Sequence, residues 1–175
     1  RISDMVLGVM ANPFYIDTGF SLSEIATVTK VFGFVITLAG AALGGVAVAR
    51  YGAARPLVAG AVLLAASNLA FIGLAQAGPE MGWLIAAICA DNLAAGFVGT
   101  IFIAYLSGLT NVAYTATQYA LFTSLMSLPG RLLSGFSGQI VEMSGWVNFF
   151  IYTTAAGIPA ILLAMLVVRR QRNTA

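Results

Sequence analysis

Five ionisable residues lie inside long apolar stretches of this chain: Arg1, Asp4, Lys30, Asp91 and Arg131. A charge in hydrocarbon costs roughly 2.5–3.5 kcal/mol even on mild scales, so such a residue reads first as functional. Depth ranks them. Asp91 is eleven residues past Glu80, about 16 Å at the helical rise. Arg131 lies midway between Gln118 and Glu142. Asp4 precedes Asp17 by thirteen residues, about 20 Å. Lys30 is twenty residues before Arg50, near the outer edge, where its long stem can snorkel to water. Three of the five are positive and two negative, which suits an anionic ligand. The carboxylates can carry a proton, bind a cation or serve as fixed partners, Asp91 for Arg131 and Asp4 for Arg1 one helical turn away.

Other chemistry is excluded by composition. The 175 residues contain no histidine and one cysteine, Cys89, so a histidine-dependent triad, a zinc cluster and an internal disulfide are ruled out. Gly135-Phe136-Ser137-Gly138 has the serine pattern of an intramembrane protease, but the histidine base is missing. We therefore expect neither an enzyme, nor a metal site, nor a cofactor. A net charge of +2 is too small for nucleic-acid binding.

The elements that must position these residues are membrane helices. Hydrophobic residues make up 60% and charged residues 8% of the chain, against roughly 45–50% and 25% in soluble domains. Six apolar stretches, about residues 1–17, 25–49, 56–76, 82–107, 118–141 and 146–168, predict six transmembrane helices in an all-α, multi-pass protein. Arg50 and Arg55 in one connection and Arg169, Arg170 and Arg172 in the tail face no acid on their side, whereas Asp17, Glu24, Glu80 and Glu142 occupy the opposite connections. The positive-inside rule then puts the C-terminus in the cytoplasm. Segments one, two, four and five carry buried charges and segments three and six carry none. Gly45 and Gly52 match Gly138 and Gly145 in spacing. Together these suggest two inverted three-helix repeats whose charged helices line one face. Breaks are expected at Asn12-Pro13, Pro129-Gly130 and Gly157-Ile158-Pro159. The opening on Arg1 suggests a fragment of a longer protein.

Six helices in inverted threes resemble one half of a major facilitator superfamily transporter. The stretch from Gly45 through Arg50, Tyr51 and Gly52 to Arg55 is similar to that superfamily's cytoplasmic gating loop, departing from it at Ala49 and Ala54. The runs Arg1-Ile2-Ser3-Asp4, Leu7-Gly8-Val9-Met10-Ala11-Asn12-Pro13-Phe14-Tyr15, Asp91-Asn92-Leu93-Ala94, Ala104-Tyr105-Leu106-Ser107 and Tyr114-Thr115-Ala116-Thr117-Gln118-Tyr119-Ala120-Leu121 resemble the C-terminal half of AmpG-type muropeptide permeases. That resemblance implies a missing N-terminal six-helix half, a bacterial inner-membrane location and proton-coupled import of anhydromuropeptides for cell-wall recycling. On this reading the partners are a small glycopeptide substrate and the lipid bilayer, and the energy source is the proton gradient. Arg1 and Arg131 would bind substrate carboxylates, with Asn12, Asn92, Tyr105 and Gln118 gripping sugar or peptide. Asp4 or Asp91 would handle the proton, and Lys30 would line the cavity or snorkel. A carrier of another anionic solute, such as acetyl-coenzyme A, and a six-helix scaffold that moves nothing are the competing readings.

Overall fold

Apolar helix formers interrupted by glycine dictate the architecture. In the computed structural model, which describes residues 2–109 and 115–173, every described element is helical. We number them α1 (Ile2–Thr18), α2 (Leu22–Tyr51), α3 (Arg55–Ala77), α4 (Met81–Leu109), α5 (Thr115–Ser134), α6 (Ser137–Ala156) and α7 (Ile158–Asn173). By length and composition, four helical stretches can cross a membrane: Leu22–Tyr51, Arg55–Ala77, Met81–Leu109 and Ser137–Arg169. Leu43, Leu121, Leu125, Leu132 and Leu166 are all more than half exposed. Side chains of this kind on several helices need a lipid solvent.

Caps set the helix ends. Ser21 and Glu24 form a reciprocal capping box at the start of α2: the Glu24 amide donates to Ser21 Oγ at 3.3 Å, and the Ser21 amide donates to Glu24 Oε2 at 2.9 Å. The Ser21 side-chain and backbone hydrogen bonds hold the exposed Glu24 carboxyl below its ordinary range. At the other end of α2, Gly52 turns the chain at φ 74°, ψ 168°. Gly145 has nearly the same backbone, φ 77°, ψ 168°, and splits α6 into two helical pieces. Only glycine takes this region without strain. The likeness of these two turns matches the spacing that suggested a repeat, and it is local to them.

The helix breaks differ from the sequence expectation. α1 runs unbroken through Pro13 and α5 through Pro129. The break expected at Gly157-Ile158-Pro159 is present, at Gly157, and an unexpected one occurs at Gly135-Phe136, inside the stretch expected as a fifth span. In α2 a π-helical turn, Thr29–Gly33, brackets Lys30.

Packing uses two devices. The first is a glycine seam between α2 and α4. A Cβ on Gly40 would strike the Leu93 carbonyl, one on Gly96 would strike the Thr37 carbonyl, and one on Gly44 would come within 2.7 Å of the Phe97 oxygen. Small residues permit such backbone approach, which drives helix association in lipid. The second is an aromatic cluster joining α1, α3 and α6. The Phe14 ring meets Phe150 edge-on at 4.7 Å and Trp146 at 5.0 Å, and Phe71 lies 5.3 Å from Phe150. Phe14, Phe71 and Phe150 are fully buried.

Two outcomes follow. Gly96→Ala should lose about 1–3 kcal/mol by overpacking, lowering the thermal midpoint of the intact protein in detergent by roughly 3–10 °C. Gly8→Ala, where a Cβ meets nothing within 4 Å, should leave the midpoint in place. The capping box carries a pH sign. The folded Glu24 is more acidic than the unfolded one, so its contribution is present above about pH 4.5 and disappears as pH falls through the lower folded value. Amide protection at Ser21 and Glu24 should drop over that acid interval, and in Ser21→Ala the Glu24 amide should be poorly protected throughout.

Candidate functional site

The candidate site is centred on one acid of α1 and one of α4. Asp4 in the first turn of α1 and Asp91 in the middle of α4 are both half-buried, and each lies within the other's electrostatic reach. Tyr15, three turns further along α1 and 5% exposed, also lies in the field of Asp91. The expected alternative of a fixed Asp91–Arg131 pair is not realised, because the charged neighbour of Asp91 is Asp4. Two carboxylates inside a low-dielectric bundle can take up and release a proton between them.

Arg131 reaches the same level by another route. The adjacent Gly130 is buried against α1, where an added Cβ would strike the Met5 sulfur. That contact brings Arg131 beside the start of α1, near Asp4, with its own side chain exposed. Asn12 is exposed on α1 and Gln118 half-buried on α5. Lys30 is exposed within the π-turn, three residues from Gly33. Arg1 and its pairing with Asp4 fall outside the described residues.

Asn92 and Tyr105 are set apart from the two acids. Asn92 Oδ1 accepts from Thr37 Oγ1 at 2.9 Å, and its Nδ2 donates to the Ile88 carbonyl at 2.8 Å. Thr37 Oγ1 also approaches the Gly33 carbonyl at 2.8 Å, the last residue of the π-turn. Asn92 is thus a clasp between α2 and α4. Tyr105 lines a separate apolar crevice with residues of α3 and α7, so it is not gathered with Asp4 and Asp91. In the expected gating loop, Arg50 and Arg55 are exposed around the Gly52 turn, and Gly45 lies within α2.

Sequence reasoning missed Thr37, Tyr15 and the π-turn. Thr37 precedes Gly40 and Gly44 on α2, and a hydroxyl in that glycine-rich run was the available signal. Asn68 Nδ2 and Ser137 Oγ are buried without a partner among the described residues; Ser137 belongs to the Gly135-Phe136-Ser137-Gly138 run, and nothing in the sequence marked Asn68.

The likeness to known proteins extends over this whole arrangement. "Putative transporter AmpG 4" of Rickettsia conorii is 35% identical over 165 residues, 94% of this chain and 40% of the relative. The protein of the same name from Rickettsia felis has the same identity and coverage. "Putative transporter AmpG 1" of Rickettsia bellii is 32% identical over 94% of the chain. The chain is a partial-length relative of the AmpG-type transporters. It spans about 40% of the length of these relatives. No protein-family model matches it.

The clasp yields a measurable coupling. A double-mutant cycle on Thr37→Val and Asn92→Leu in the intact protein should give an interaction energy of about 0.6 kcal/mol, within a ceiling near 1.7 for hydrogen bonds between membrane helices. Additive effects of the two changes would remove the clasp from the account of helix packing.

Proposed function

We propose that this chain is the C-terminal six-helix half of a major facilitator superfamily importer that carries anhydromuropeptides across the bacterial inner membrane, coupled to protons. The observation that carries the reading is a pair of half-buried acids, Asp4 and Asp91, within electrostatic reach of each other inside an apolar helix bundle related to AmpG-type transporters. A scaffold has little reason to keep two acids inside apolar helices.

In this reading the acid pair holds the coupling proton. Arg131, exposed at the level of Asp4, attracts a substrate carboxylate, and Arg1 does the same. Muropeptides combine carboxylates with sugar hydroxyls, which the amides of Asn12 and Gln118 can bind from the same open flank. Asn92 contributes by fixing α4 against α2, so that the neighbouring Asp91 is presented toward α1. The six crossings include α1 and α5 beside the four longer apolar stretches, in two inverted repeats. The tail with Arg169 then lies in the cytoplasm, and Arg50, Gly52 and Arg55 form the cytoplasmic gate. The proton gradient supplies the energy, without a cofactor.

Uptake of labelled anhydromuropeptide into cells lacking their own permease, by the full-length protein, tests the reading. Wild type should accumulate the label and lose it with a protonophore. Asp91→Asn, inserted at normal levels, should lose proton-driven accumulation by tenfold or more. Unchanged accumulation in Asp91→Asn would take that residue out of coupling, and an inserted wild-type protein that takes up no label would overturn the substrate.

A further inference from the structure

Two arginines end neighbouring helices at the same level. Leu57 near the start of α3 and Val167 near the end of α7 line one crevice. Arg55 and Arg169 lie two residues outward from them, and both are exposed. The acids Glu24 and Glu80 lie at the far ends of α2 and α3. Each arginine also crowns an exposed apolar line. On α3, Arg55, Val62 and Leu69 recur every seven residues. On α7, Ile158, Leu162, Leu166 and Arg169 are four, four and three residues apart, which keeps them on one face. Val62, Leu69, Ile158, Leu162 and Leu166 are each about half exposed. Ile158 is eleven residues from Arg169, about 16 Å at the helical rise, close to the depth of one leaflet of a ~30 Å hydrocarbon core. The N-cap of α3 is Ala54, which makes no side-chain capping bond, so no side chain offsets the positive end of that helix beside Arg55.

We propose that these two lines form the binding site of one anionic phospholipid, its phosphate held by Arg55 and Arg169 and its acyl chains lying along α3 and α7. The inference rests on the membrane-spanning reading above. Charge complementarity selects this occupant. A guanidinium takes phosphate through two parallel N–H bonds, and the long arginine stem lies over apolar surface while its head stays at the interface. A zwitterionic lipid brings an ammonium group to the same two cations and is disfavoured there. Each basic residue near an anionic headgroup strengthens binding about fivefold, and the uncapped start of α3 acts in the same direction. The apolar lines below each arginine supply what a free phosphate cannot use. The lipid would brace α3 against α7, the two helices in which no ionisable residue lies deep in the apolar run.

Native mass spectrometry of the full-length protein, released from detergent micelles holding equal amounts of dioleoyl phosphatidylglycerol and dioleoyl phosphatidylcholine, tests the site. Wild type should retain phosphatidylglycerol at least fivefold over phosphatidylcholine. Equal retention, or retention of neither lipid, would overturn the site without any substitution being made. The double change Arg55→Gln, Arg169→Gln should reduce the preference at least fivefold, and an unchanged preference would place the lipid elsewhere and overturn the assignment. Arg50→Gln, exposed on α2 and off both lines, should keep the preference; an equal loss there would show a diffuse surface field in place of a site. Millimolar glycerol phosphate should leave the bound lipid in place, and its displacement would show that the headgroup alone is recognised and overturn the acyl-chain seat. A wild type that shows this lipid preference and takes up no muropeptide would overturn the substrate and leave the lipid site standing.

Discussion

Lipid removes the ordinary reason for helices to associate, since a leucine facing an acyl chain is already in an apolar solvent. What remains is close packing of backbone on backbone, and in this chain that means the seam where Gly40 and Gly44 of α2 meet α4 and Gly96 of α4 meets α2. The seam fixes the register of the two helices. Once Gly96 is set against Thr37, the Thr37 hydroxyl is within bonding distance of Asn92, and that bond in turn ties α4 to the π-turn of α2. The presentation of Asp91 follows from this register, because its neighbour Asn92 is held toward α2 and the two side chains leave the helix about 100° apart.

The other side of the acid pair depends on a different contact. α1 is held by aromatic rings: Phe14 is packed among Phe71, Trp146 and Phe150. Edge-on and tilted arrangements add to the simple burial of ring area. Asp4 is ten residues from Phe14, so the start of α1 is placed by a cluster about 15 Å away along a single helix, together with the Gly130 contact to Met5. One acid is thus positioned by a glycine seam and the other by an aromatic lock. A rearrangement at either would change the distance between them.

Much of this was legible in the sequence, for identifiable reasons. The helical class follows from long apolar runs with 60% hydrophobic residues, and the turns at Gly52 and Gly145 were marked by glycine at matching positions. Asp4 and Asp91 stood out because a charge in an apolar run is costly wherever the run folds. Two of the three proline breaks were misread, since α1 and α5 absorb Pro13 and Pro129, while the one expected at Gly157-Ile158-Pro159 falls at Gly157 and a further interruption uses Gly135-Phe136. Tyr105 was grouped with the site on polarity alone, and polarity says nothing of which neighbours a helix face acquires.

The sequence by itself determined the solvent, the helical class and the residues whose burial demands an explanation, because transfer energies act residue by residue and need no partner. Only the tertiary structure decided that Asp91 lies in the field of Asp4, that Asn92 clasps Thr37, and that Tyr105 lines an apolar crevice. Those outcomes depend on which helix faces approach and in what register, and the register is set by contacts between glycines and backbone atoms far apart in the chain, which no local pattern encodes.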